Sequence, residues 1–114
     1  MKITLDTNRH LLSSEAKSIL LSATEIGVLN SILTNYPSSS HRDYIADANK
    51  ANGRAITYNH VNVIVHSLRR KFKSIGIDNI IMTERGIGYR VNDKINVIER
   101  PQDHSFIQKI KRLI

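Results

Sequence analysis

Asn59, Val63, His66 and Ser67, with Arg69, Arg70 and Lys73 just after them, are the residues whose types and spacing best suit a chemical task. The task is recognition rather than bond-making. Amide, imidazole and hydroxyl groups exchange hydrogen bonds with base edges, and a valine methyl can meet a thymine methyl. Guanidinium and ammonium groups neutralise phosphates at the groove wall. A second set lies in I-I-M-T-E-R-G-I-G-Y-R-V, residues 80–91, where Thr83 and Arg85 precede two closely spaced glycines. An arginine at a hairpin tip suits a narrow minor groove, whose negative potential attracts it.

Other chemistries find little support. Gly86-x-Gly88 lacks the third glycine and the following helix of a phosphate-cradling loop. The five histidines include no i,i+4 pair, and His60 and His66 point to different helix faces, so polar roles outweigh metal ligation. His41-Arg42-Asp43 echoes a kinase triplet, but 114 residues cannot hold a kinase. No serine has a convincing base and no acidic pair suggests a cleft. Neither an enzyme nor a metal or cofactor is expected.

A helix must position the first set. Val61, Val65, Leu68 and Phe72 recur at spacings of four, three and four, which at 100° per residue is one buried stripe. Thr57 is its candidate N-cap and Gly76 its candidate left-handed C-cap, which predicts a helix over 57–75. Val63 falls almost opposite the stripe, where a merely solvated helix would favour a charge. An incidental exposed valine on an ordinary amphipathic helix is the competing reading.

The rest of the chain frames that helix. Ile3 to Leu5, His10 to Leu12 and Lys17 to Leu21 read as short strands. Ser22 with Glu25 is a capping box opening a helix whose inward stripe is Ile26, Leu29, Ile32 and Leu33. Gly27 lowers the propensity of that helix by about 1 kcal/mol relative to Ala, which points to close packing there. A second box, Ser40 to Asp43, predicts a short helix through Tyr44, Ile45 and Ala48, and 49–56 reads as a loop. Ile77 to Glu84 and Tyr89 to Val91 read as a hairpin around R-G-I-G. Residues 92–103 read as a polar surface extension, and the final S-F-I-Q-K-I-K-R-L-I as a short amphipathic helix.

Length allows one modest core, and no apolar run reaches the 18 residues a membrane span needs. The N-terminus has no signal-peptide pattern, so the cytoplasm is the default expectation. Absence of cysteine excludes disulfides and thiolate metal sites. The net charge of +7 is unevenly placed: residues 1–57 carry +1 and residues 58–114 carry +6. A polyanion is therefore drawn to one end of the molecule.

H-V-N-V-I-V-H-S-L-R-R-K-F followed by I-M-T-E-R-G-I-G-Y-R-V closely resembles the OmpR/PhoB-type winged helix-turn-helix, and L-S-A-T-E at 21–25 is similar to that family's opening of its first helix. The resemblance covers roughly residues 3–92. It implies an α+β fold: an N-terminal antiparallel sheet, three helices and a C-terminal β-hairpin wing over 1–92, with 93–114 as an extension or juxtamembrane linker. It also implies the DNA-binding domain of a bacterial transcription regulator, an activator by preference. Helix 57–75 would lie in the major groove and wing 80–91 in the minor groove of double-stranded DNA. Promoter sites with tandem half-sites, a homodimer on DNA, and RNA polymerase touching loop 49–56 follow as expected partners.

Three departures stand out. Asn62 replaces the family's usual aspartate, Ser67 stands where arginine is common, and Glu84 replaces an apolar residue beside the wing tip. A winged helix that binds protein and has lost DNA is the alternative reading. With Met1 almost directly before the first strand, a ToxR-like order is expected, with no receiver domain ahead of the winged helix. Lys109, Lys111 and Arg112 before Leu113-Ile114 resemble the cytoplasmic flank of a membrane anchor beyond residue 114.

Overall fold

The computed structural model describes residues 2–99; the expectations for 104–114, including the basic flank of a membrane anchor, lie outside them. Strands β1 (Ile3–Asp6), β2 (Leu11–Ser13) and β3 (Ser18–Leu20) form an antiparallel meander. Ile3, Leu5 and Leu12 point into the core, as a half-buried sheet requires. Three helices follow: α1 (Ala23–Thr34), α2 (Arg42–Ala51) and α3 (Tyr58–Ser74). A hairpin, β4 (Ile81–Glu84) with β5 (Gly88–Val91), comes next.

Then comes a strand that the polar look of 92–103 conceals. β6 (Ile95–Ile98) pairs in parallel with β1, Ile3 opposite Ile95, so the first sheet has the order β3-β2-β1-β6 and is mixed rather than purely antiparallel. The structured domain therefore runs past the expected boundary at residue 92. Ile95 is buried against the core, and that one apolar anchor sets the strand despite its charged flanks.

α1 opens on the predicted capping box. The Glu25 N–H donates to Ser22 Oγ at 3.1 Å, and the Ser22 N–H to Glu25 Oε1 at 2.7 Å. The second predicted box does not form: His41, not Ser40, caps α2, its Nδ1 accepting from the Asp43 N–H at 3.1 Å. Ser40 is buried, and its hydroxyl donates to the Ser31 carbonyl at 3.0 Å, so it is unavailable as a cap. Helix α2 also runs on to Ala51, which shortens the expected 49–56 loop at its front end. Asn49 belongs to the helix and is buried.

α3 matches its sequence pattern. Val61, Val65, Leu68 and Phe72 are fully buried, joined by Ile64. The Thr57 side chain accepts from the His60 N–H at 3.2 Å. At the other end Gly76 takes φ +86°, its N–H bonds the Lys73 carbonyl at 3.0 Å, and the Ile77 N–H bonds the Phe72 carbonyl at 2.9 Å. These two bonds make a Schellman stop, with buried Ile77 returning to Phe72. The predicted strand from Ile77 therefore starts only at Ile81.

The hairpin is fastened to the helical layer close to its turn. Ser40 and Tyr89 exchange backbone hydrogen bonds of 2.7 and 3.0 Å. Gly88 lets the strand come that close, because a Cβ there would lie 2.1 Å from the Ser40 carbonyl oxygen. No helix among the described residues is long and apolar enough to cross a membrane.

Candidate nucleic-acid interface

Along α3, Asn59, Val63, His66, Arg70 and Lys73 recur at four, three, four and three, and all five are exposed. They form a stripe on the face away from Val61, Val65 and Leu68. Val63 is 63% exposed, so its methyls stand in solvent at the crest of the helix. Amide, valine and imidazole come first and cations follow, the order expected of a helix that meets bases before phosphates. Arg85 is exposed at the wing tip, where Gly86 takes φ +76° to turn the chain.

Two predicted residues are not free on that face. Ser67 is half-buried and turned toward α1, where its hydroxyl donates to Glu25 Oε2 at 2.6 Å. Arg69 is half-buried and turned toward the wing. Its Nε and Nη2 donate to the Ile81 carbonyl at 3.1 and 2.9 Å, and Nη2 donates to Thr83 Oγ1 at 2.7 Å. Its guanidinium carbon lies 5.9 Å from the centre of the Tyr89 ring. Thr83 itself is exposed on β4, with its hydroxyl accepting from Arg69. The seven α3 residues singled out in the sequence thus split into five on the open stripe and two turned inward.

The inward group around Ser67 is a part-buried ionic knot. Lys71 Nζ lies 2.6 Å from Glu25 Oε1 and donates to the Leu20 carbonyl at 3.0 Å. Burial pushes the Glu25 carboxyl up, but hydrogen bonds from Lys71, the Ser22 N–H and Ser67, with the Lys71 charge, outweigh it and leave the group below its ordinary value. The carboxylate therefore stays charged at neutral pH and holds α3 against the start of α1.

Three further residues bear on the site. The Tyr89 hydroxyl donates to Asn62 Oδ1, so the residue that departs from the family's aspartate ties α3 to β5. Arg42, at the first turn of α2, lines the same cleft of about 320 Å³ as Arg85 and Gly86. Nothing in the spacing of the sequence links Arg42 to the wing; only the fold brings them together. Glu84 is held by Ser39 and lies 3.2 Å from Arg90, which keeps its charge on the hairpin beside the wing tip.

Comparison with known proteins places the fold. The family described as "Transcriptional regulatory protein, C terminal" matches residues 16–91. The response regulator protein GraR of Staphylococcus aureus is 29% identical over 89 residues, covering 78% of this chain. The chain spans only 40% of that relative's length. Among solved structures, the C-terminal domain of the nisin resistance regulator NsrR is 34% identical with a TM-score of 0.71, covering 81% of this chain and 93% of that one. The AdeR DNA-binding domain, in complex with an intercistronic region, shares the fold at 21% identity and TM-score 0.68, covering 82% and 96%. The DNA-binding domain of Escherichia coli CadC does so at 20% and 0.66, covering 77% and 83%. With an exposed helix stripe, a wing beside it and a family match over most of its length, this chain belongs to the transcriptional regulatory protein C-terminal family, the OmpR/PhoB-type winged helices that bind DNA.

Proposed function

We propose that this domain reads promoter DNA with Asn59, Val63 and His66 at base edges in the major groove, while Arg70 and Lys73 meet phosphates and Arg85 enters the adjoining minor groove. The observation that carries the reading is the single exposed stripe on α3, with an apolar Val63 at its crest. Thr83 stands on β4 two residues before Arg85, its hydroxyl shared with Arg69. Arg42 faces the same cleft as the wing tip and serves as a further phosphate contact. Ser67 and Arg69 leave the list of direct contacts, because their polar atoms are already held inside the fold.

Site selection from a randomised duplex pool tests this. His66→Ala should relax preference at one or two positions, costing about 1–3 kcal/mol on the selected site. Arg70→Ala should weaken all sequences alike and reduce the salt slope by about 0.9, one phosphate's worth of released counterions. Random-duplex binding with no salt dependence would favour the protein-docking alternative instead.

The larger protein's biology is part of the same proposal. Activation works through the shortened α2–α3 connection, residues 52–57, touching RNA polymerase, and two copies sit on tandem half-sites. The basic residues Lys109, Lys111 and Arg112 support a ToxR-like regulator whose winged helix lies on the cytoplasmic side of a membrane anchor.

A further inference from the structure

We propose that Arg69 is a positioning residue: it sets the angle of the wing against α3, and so acts on DNA through Arg85 rather than by touching it. The inference rests on the wing reading above. Among the described residues β4 pairs only with β5, so its outer edge presents backbone carbonyls without a strand partner. Arg69 covers that edge by giving two N–H groups to the Ile81 carbonyl and one to Thr83 Oγ1. Asn62 stands seven residues earlier, two turns back on the same side of α3, and accepts from the Tyr89 hydroxyl of β5. One stripe of α3 therefore grips both strands of the hairpin. The Tyr89 ring lies between the two grips, beneath the guanidinium.

Thr83, the last residue Arg69 holds, is two residues from Arg85. Helix and wing must enter neighbouring grooves at once, so a small change of angle at the wing base displaces the tip. Arginine is suited to the task because its planar fork can serve a carbonyl and a hydroxyl together, whereas lysine offers a point charge. A phosphate contact would make the opposite demand: charge matters there and the fork matters less.

The test exploits that contrast. A duplex selected by the native chain is prepared with A-tract or G·C-rich flanks, and binding is measured across a salt series for Arg69→Lys, Arg69→Gln, Arg85→Ala and the Arg69→Lys/Arg85→Ala pair. Both Arg69 variants are expected to lose about tenfold on A-tract flanks and to change little on G·C-rich ones, with the salt slope unchanged. The pair should bind no worse than Arg85→Ala alone, since both changes disable one wing. Retained binding in Arg69→Lys with a slope reduced by about one in Arg69→Gln would overturn the proposal and make Arg69 a phosphate contact.

If Arg85→Ala shows no flank effect, the minor-groove reading has failed, and amide exchange without DNA decides the role of Arg69. The Ile87 N–H, bonded to the Glu84 carbonyl at 2.9 Å across the hairpin tip, should then exchange faster in Arg69→Lys while the α3 amides keep their rates. Equal Ile87 exchange would overturn the proposal. Thr83→Val, which removes only the exposed acceptor, guards against misfolding of the arginine variants. It should reproduce part of the flank effect at an unchanged melting temperature, and native behaviour in it would count against the brace.

Discussion

Lys71 Nζ and Glu25 Oε1 lie 2.6 Å apart, joining the last turns of α3 to the first turn of α1 with the carboxylate almost wholly buried. The same carboxylate closes the α1 capping box and accepts from Ser67. Its loss is therefore felt at three places. Glu25→Ala is expected to cost about 2 kcal/mol, from the lost cap partner and the lost hydrogen bonds to charge. Urea denaturation of the variant checks this.

That carboxylate also predicts how stability follows pH. Its folded value lies below the reference value of 4.5, so its contribution is present in full above that value and is lost as pH falls through the folded one. Melting temperatures from pH 7 down to pH 3 should show the native chain falling faster than Glu25→Gln at the acid end. Parallel curves would mean that Glu25 is not held charged by the fold.

Ser67→Ala separates packing from reading. The hydroxyl donates to a buried carboxylate, so its removal should destabilise the domain by about 1–2 kcal/mol. The preferred base sequence should not change. A site selection that shifts with Ser67→Ala, and not with His66→Ala, would reverse the assignment of the stripe.

Gly27 faces Asn49 across the α1–α2 contact, and a Cβ on Gly27 would stand 2.1 Å from Asn49 Oδ1. Asn49 cannot easily yield, because its amide donates to the Ile45 carbonyl at 2.8 Å and to Ser31 Oγ at 3.2 Å. Alanine gains about 1 kcal/mol of helix propensity, but overpacking costs about 1–3 kcal/mol, so Gly27→Ala should be net destabilising. In a double-mutant cycle, Gly27→Ala with Asn49→Ala should cost less than the two single losses together.

The β6 strand is checked by two substitutions. Ile95→Ala removes a buried anchor and should cost about 2–3 kcal/mol. Val97→Ala, at a residue already 39% exposed, should cost less than about 1 kcal/mol. Equal small effects in chemical denaturation would return residues 93–99 to the role of a surface extension.

Local physics made much of this domain legible in its sequence. The Ser22/Glu25 box, the buried stripe of α3, its Thr57 cap and its Gly76 stop all depend on residues within a few positions of one another. Periodicity and capping chemistry report directly on such contacts. The same holds for the exposed stripe from Asn59 to Lys73, because a helix that buries one face must present the other. Tertiary structure decided what depends on distant partners. Ser67 and Arg69 have the composition of DNA contacts, but Glu25, 42 residues before Ser67, and Ile81 with Thr83, across the turn after α3, claim their polar atoms. β6 is a strand because β1, more than ninety residues earlier at Ile3, offers Ile95 a free edge. Arg42 joins Arg85 only because the Ser40–Tyr89 backbone pair brings the start of α2 beside the tip of the wing. A side chain's type states what it can bond, and the long-range packing of the chain selects which partner it meets.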